Sequence, residues 1–146
     1  MTELREQALI VWADRDRARP ITFAAVLLLV AAIVLRIVGV PPIDVHGLLH
    51  YLGIMDPLCG GTRAMYLLTS GEFGAAAHYN PVVFPIAAAG VVLLARAMVG
   101  WTTQRWLDVR LPRIALRIGV ALVLIAFAAL GARQQLHAEM LMRSWS

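Results

Sequence analysis

At 146 residues, 60% of them hydrophobic and only 15% charged, with a mean hydropathy of +0.74, the chain departs from the balance of soluble globular proteins. Its net charge of +4 rests on thirteen basic residues, all of them Arg, but these flank apolar runs instead of gathering on one face, which argues against nucleic acid as a partner. A single cysteine excludes a disulfide scaffold.

Residues 1–20 form a polar lead. Leu4, Ala8, Val11 and Trp12 recur there at helical spacing, so a weak interfacial helix is expected. The first apolar run, Ile21 to Val40, would cover roughly 30 Å as a helix, the thickness of a bilayer's hydrocarbon. It follows twenty polar residues and ends on Val40-Pro41-Pro42 without a small-x-small cleavage pattern, so an uncleaved anchor is expected rather than a signal peptide.

Two more runs of similar character follow, at 81–101 and 114–132, and each of the three begins near a proline: Pro20, Pro81 and Pro112. Proline at a first helical turn loses nothing, because its missing N–H has no partner there. Asn80 fits an N-cap, and Pro85 is expected to kink the second span or be accommodated by its neighbours. Arg36 and Arg96 lie near span ends and are expected to snorkel to the interface.

Arg5, Arg15, Arg17 and Arg19 crowd the lead, and Arg105, Arg110 and Arg113 crowd the loop 102–113, whereas 41–80 holds only Arg63. Positive-inside counting puts the N-terminus and the 102–113 loop in the cytoplasm, and the 41–80 loop and the 133–146 tail outside. Trp101 and Trp106 then mark the inner interface, while a tail bearing Leu136, Met140, Leu141 and Trp145 is expected to rest on the outer one. Without an internal repeat or linker, residues 1–146 read as one membrane domain: an all-α membrane protein of three transmembrane helices in a cytoplasmic (inner) membrane.

The outer loop has structure of its own. Val45, Leu48, Leu49 and Leu52 follow an i, i+3, i+4, i+7 pattern that ends at Gly53, and "CGGTRAMYLLTSG" reads as a helix starting at Cys59 to Gly61 and stopping at Gly71. Ser70 is expected to cap a further short helix, with Glu72 in its first turn, running to His78. The loop thus reads as short interfacial or re-entrant helices.

The run "PLCGGTRAMYLLTSGEFGAAAHYNP" resembles a bacterial membrane family known as domain-of-unknown-function family 2752. The family's pattern of Pro-x-Cys-Gly-x-Thr-Arg, a Gly-acidic pair, an alanine-rich stretch and Asn-Pro falls here on Pro57, Cys59, Gly60, Thr62, Arg63, Gly71, Glu72, Ala76, Asn80 and Pro81. Asp56 stands where many members have a second cysteine, which weighs against a two-cysteine metal or redox site. The resemblance implies an architecture and no activity.

Candidate ligand-binding residues are Cys59, Gly60, Gly61, Thr62, Arg63, Glu72 and Asn80. Adjacent glycines at a helix start let N–H groups converge on an anion, and Arg63 can add a bidentate fork; the obvious anion at a membrane surface is a phospholipid headgroup. The competing reading is a tight turn, with Arg63 paired to Asp56, Glu72 or a carbonyl. A thiol at a helix N-terminus is biased towards thiolate, yet cysteine is also among the most often buried residues. His46 and His50, at i, i+4, have a spacing that can hold zinc, with Cys59 or His78 as distant further ligands, but rings at an interface explain them equally; no metal and no cofactor is assigned. Ala115 and Gly119 allow close helix contact in the third span. The leading expectation is a binding or accessory module whose partners are the bilayer, an anionic lipid or another membrane protein. A thiol- or metal-dependent enzyme is the alternative, and a transport component is a third, although three spans with no acidic residue in their cores offer no evident ion path unless the protein oligomerises.

Overall fold

The computed structural model describes residues 10–41 and 55–142. Among them are six helices: α1 (Arg19–Val38), α2 (Gly61–Thr69), α3 (Phe73–Tyr79), α4 (Val83–Thr103), α5 (Arg113–Leu136) and α6 (Ala138–Leu141). Helices α1, α4 and α5 are long and apolar enough to cross a membrane. They are the three spans expected from the sequence, shifted by a few residues.

Each span starts as its proline requires. Pro20 lies in the first turn of α1, and Pro112, in extended conformation, precedes α5. Pro85 is the third residue of α4, where the N–H would have no intrahelical partner anyway, so the expected kink has no cause. Gly39, at φ +86°, closes α1 by donating its N–H to the Leu35 carbonyl.

The lead does not form the expected interfacial helix over its described part. Ile10–Ala13 is a strand, β1, paired antiparallel with β2 (Trp106–Val109) in the register Ile10↔Val109, Trp12↔Leu107. Leu4 and Ala8 lie outside the described residues. A short isolated helix is marginal, whereas Ile-Val-Trp suits a strand once a partner supplies the ladder. That partner comes from the loop between α4 and α5, so the lead and this loop share one side of the bundle.

Helices α1 and α4 pack through small residues. Thr22 and Ala25 are buried on one, and Gly90, Ala97 and Gly100 on the other. A side chain at Gly90 would press on Leu28, and one at Gly100 would collide with the Trp106 ring. Among the described residues, the apolar stretch of α5 holds no buried residue, and Ala115 and Gly119 are only partly covered.

Apart from Ala25 and Ala97 within the spans, the buried apolar residues gather in two clusters around residues 55–83. One cluster joins Ala64, Leu67, Ala76 and Val83, and a second joins Met55, Cys59 and Leu141, with Tyr79 touching both. Leu141, expected at the interface, is instead 1% exposed in this second cluster, because α6 folds back beneath Gly60.

Candidate functional site

The turn at Cys59–Arg63 is built from local rules. Asp56 Oδ1 accepts the Leu58 N–H at 2.8 Å, the Cys59 N–H goes to the Asp56 carbonyl at 3.0 Å and that of Gly61 to the Leu58 carbonyl at 2.8 Å. Gly60 takes φ +76°, in the left-handed region, and starts α2. A Cβ there would stand 2.7 Å from Leu141 Cδ2, so the Leu141 side chain would also have to shift.

At the other end of α2 the chain forms a Schellman stop. Gly71, φ +84°, donates to the Leu68 carbonyl and Glu72 to the Leu67 carbonyl. Ser70 therefore belongs to the end of α2, its hydroxyl on the Tyr66 carbonyl, and does not cap α3 as expected. Glu72 occupies the residue before α3, exposed, without a side-chain capping bond.

Asn80 is fully buried and makes three bonds. Its Nδ2 donates to the carbonyls of Pro57 and Cys59, each at 3.0 Å, and its Oδ1 accepts the Val82 N–H at 3.1 Å, the N-terminal role expected of it. Gln134, also fully buried, donates from Nε2 to the carbonyls of Cys59 and Tyr79 and accepts from Arg133 Nη1 at 2.9 Å. Arg133 Nη2 reaches the carbonyls of Ala77 and His78, and Gln135 Oε1 accepts the Met55 N–H. The orphan carbonyls ending α3 are thus satisfied by side chains from the end of α5. This explains why α5 continues past Ala132, where the third span was expected to end.

Of the partners proposed for Arg63, a carbonyl is the one observed: its Nη1 lies 3.3 Å from the Leu141 oxygen. Thr62 is exposed in the first turn of α2 and Leu58 beside it is half-exposed. Cys59 is 4% exposed, its thiol 3.6 Å from the Met55 sulfur, in a buried cluster with Met55 and Leu141. His46 and His50 lie outside the described residues, and among those described no group of three or more metal-ligating side chains gathers.

Sequence reasoning missed Arg133, Gln134, Gln135 and Leu141. Three consecutive hydrogen-bonding side chains directly after an apolar span were the available signal, since such a run at a span's end must find acceptors.

A second polar joint ties the opposite ends of α1 and α4. Arg96 donates from Nε to the Leu107 carbonyl at 2.6 Å, from Nη1 to Thr22 Oγ1 at 3.1 Å and from Nη2 to Asp16 Oδ1 at 2.9 Å. Its guanidinium carbon lies 5.4 Å from the centre of the Trp106 ring, which meets Trp101 edge to face. Arg96 is therefore locked inward instead of snorkelling, because one fork satisfies three acceptors at once. Burial pushes the Asp16 carboxyl up, but hydrogen bonds from Thr22, Arg96 and the Ala18 N–H and the Arg96 charge together hold it below the ordinary carboxylate range.

Residues 48–94 match the family model of a protein of unknown function (DUF2752). The match takes in α2, α3 and the first half of α4, and so contains the Cys59–Arg63 turn and Asn80, while Arg133, Gln134 and Leu141 come from outside it. No curated protein and no solved structure matches the chain.

Proposed function

We propose that this is a non-catalytic integral membrane protein of a bacterial inner membrane whose loop 55–82 serves as an outward-facing binding module for an anionic group, a phospholipid headgroup or an acidic partner subunit. The lead and the β1–β2 pair lie on the cytoplasmic side, where arginines concentrate, and the α2–α3 cap with α6 lies outside. Three apolar helices and an α5 surface open to lipid support the membrane reading.

The observation that carries the binding reading is the start of α2. A left-handed glycine opens a nine-residue helix whose first turn is exposed at Thr62, with Arg63 in the same turn and the half-exposed Leu58 beside it. A positive helix end next to an apolar side chain matches what a lipid presents, a phosphate above an acyl chain. The thiol-enzyme alternative is weaker, since Cys59 is enclosed between Met55 and Leu141.

Gly61→Asp tests this without undoing the fold. A Cβ at Gly61 meets nothing within 4 Å, and a carboxylate in the first turn favours the helix while repelling an anion. Wild-type protein should retain anionic phospholipid through detergent purification, and Gly61→Asp should lose it with its melting temperature unchanged or raised. Retention of an acidic partner protein in place of lipid, lost in the same variant, selects the other source. Equal retention of both lipid and partners in wild type and variant would discard the anion site.

A further inference from the structure

The chain's four histidines, His46, His50, His78 and His137, all lie in the loop 41–80 or the tail 133–146. Two of them meet in the described structure. His78 is exposed in the last turn of α3, His137 is half-buried between α5 and α6, and their ring centres stand 5.8 Å apart with planes at 84°. We propose that His78 and His137 form a two-imidazole site for a divalent transition-metal ion, with water completing the coordination.

The tautomer favours it. His137 Nδ1 lies 2.9 Å from the Arg133 carbonyl oxygen, which can only accept, so Nδ1 carries a proton and the neutral ring presents its lone pair on Nε2. An imidazole whose other nitrogen is fixed by a backbone carbonyl is the usual arrangement of a metal-binding histidine.

The spacing favours it as well. With a metal–nitrogen bond of about 2.0–2.1 Å and roughly 1.1 Å more to the ring centre, two imidazoles on one ion have centres about 5.2 Å apart at a tetrahedral angle and about 6.4 Å apart when opposed. The observed separation falls between these limits.

The frame is already fixed. Arg133 holds the Ala77 and His78 main-chain carbonyls while its own carbonyl orients the His137 ring, so one residue ties together the two chain segments that carry the imidazoles. Imidazole pairs select copper, nickel or zinc over magnesium and calcium, and the Arg133 charge, opposing a dication, keeps the site weak and exchangeable. A bound ion would staple α3 to the α5–α6 corner and stabilise the folded chain.

The test uses full-length, tag-free protein in detergent, stripped with chelator and titrated with copper(II) and zinc(II). Wild type should take up one copper(II) per chain with electron-paramagnetic coupling to two imidazole nitrogens, and zinc(II) should raise its melting temperature. His78→Ala, at an exposed position where the fold is not at stake, and His137→Gln should each weaken copper binding at least tenfold and abolish the zinc-induced rise. Binding unchanged in His78→Ala, or lost only in the paired change His46→Ala with His50→Ala, would overturn the assignment.

Discussion

The side chains of Asn80 and Gln134 converge on one atom, the carbonyl oxygen of Cys59. One amide comes from the end of α3 and the other from the end of α5, so the family segment and the third span are joined through a main-chain oxygen in the middle of the motif. Removing either donor leaves buried acceptors short of partners, which costs about 1–3 kcal/mol. Gln134→Leu and Asn80→Ala should each lower stability in detergent by that amount, and the double variant should show coupling beyond the sum, since both act on Cys59. Additive losses would mean that the two amides act independently.

The two glycines of the motif should respond oppositely to alanine. Gly60→Ala meets a left-handed φ and the Leu141 side chain and should cost about 1–3 kcal/mol. Gly61→Ala enters open space at a helical position and should be neutral or stabilising by up to about 1 kcal/mol. Thermal melts of the two proteins side by side check both signs.

Asp16 gives the inner joint a pH dependence with a definite sign. Its pKa is depressed in the folded chain, so its contribution is fully present above the ordinary carboxylate value of 3.8 and lost as pH falls through the depressed one. The stability gap between wild type and Asp16→Asn should stay constant from neutral pH down to about 4 and close only below that. Arg96→Ala removes the ion pair but leaves Asp16 its bonds from the Thr22 hydroxyl and the Ala18 N–H, and should cost about 1–3 kcal/mol at neutral pH.

Burial of Cys59 sets the design of a topology experiment. A membrane-impermeant maleimide should leave the wild type unlabelled from either side and label it after denaturation. In a Cys59→Ala background, Glu72→Cys should label from outside the cell and Thr103→Cys only after the membrane is opened. The reverse pattern would invert the proposed orientation.

By itself the sequence determined the three long helices, the α2 start at Cys59–Gly61 and its stop at Gly71, and the role of Asn80 before α4, because apolar length, glycine backbone freedom and capping chemistry are local properties. Tertiary structure alone decided that Ile10–Ala13 is a strand, since its ladder partner lies beyond two spans, and that Arg96 turns inward, since its acceptors come from the lead, α1 and β2. It also decided that Gln134, Leu141 and His137 come to lie against residues 55–80. Hydrogen-bond acceptors and cavities are completed by segments far apart in the chain, and no spacing along the sequence records which distant segment will arrive.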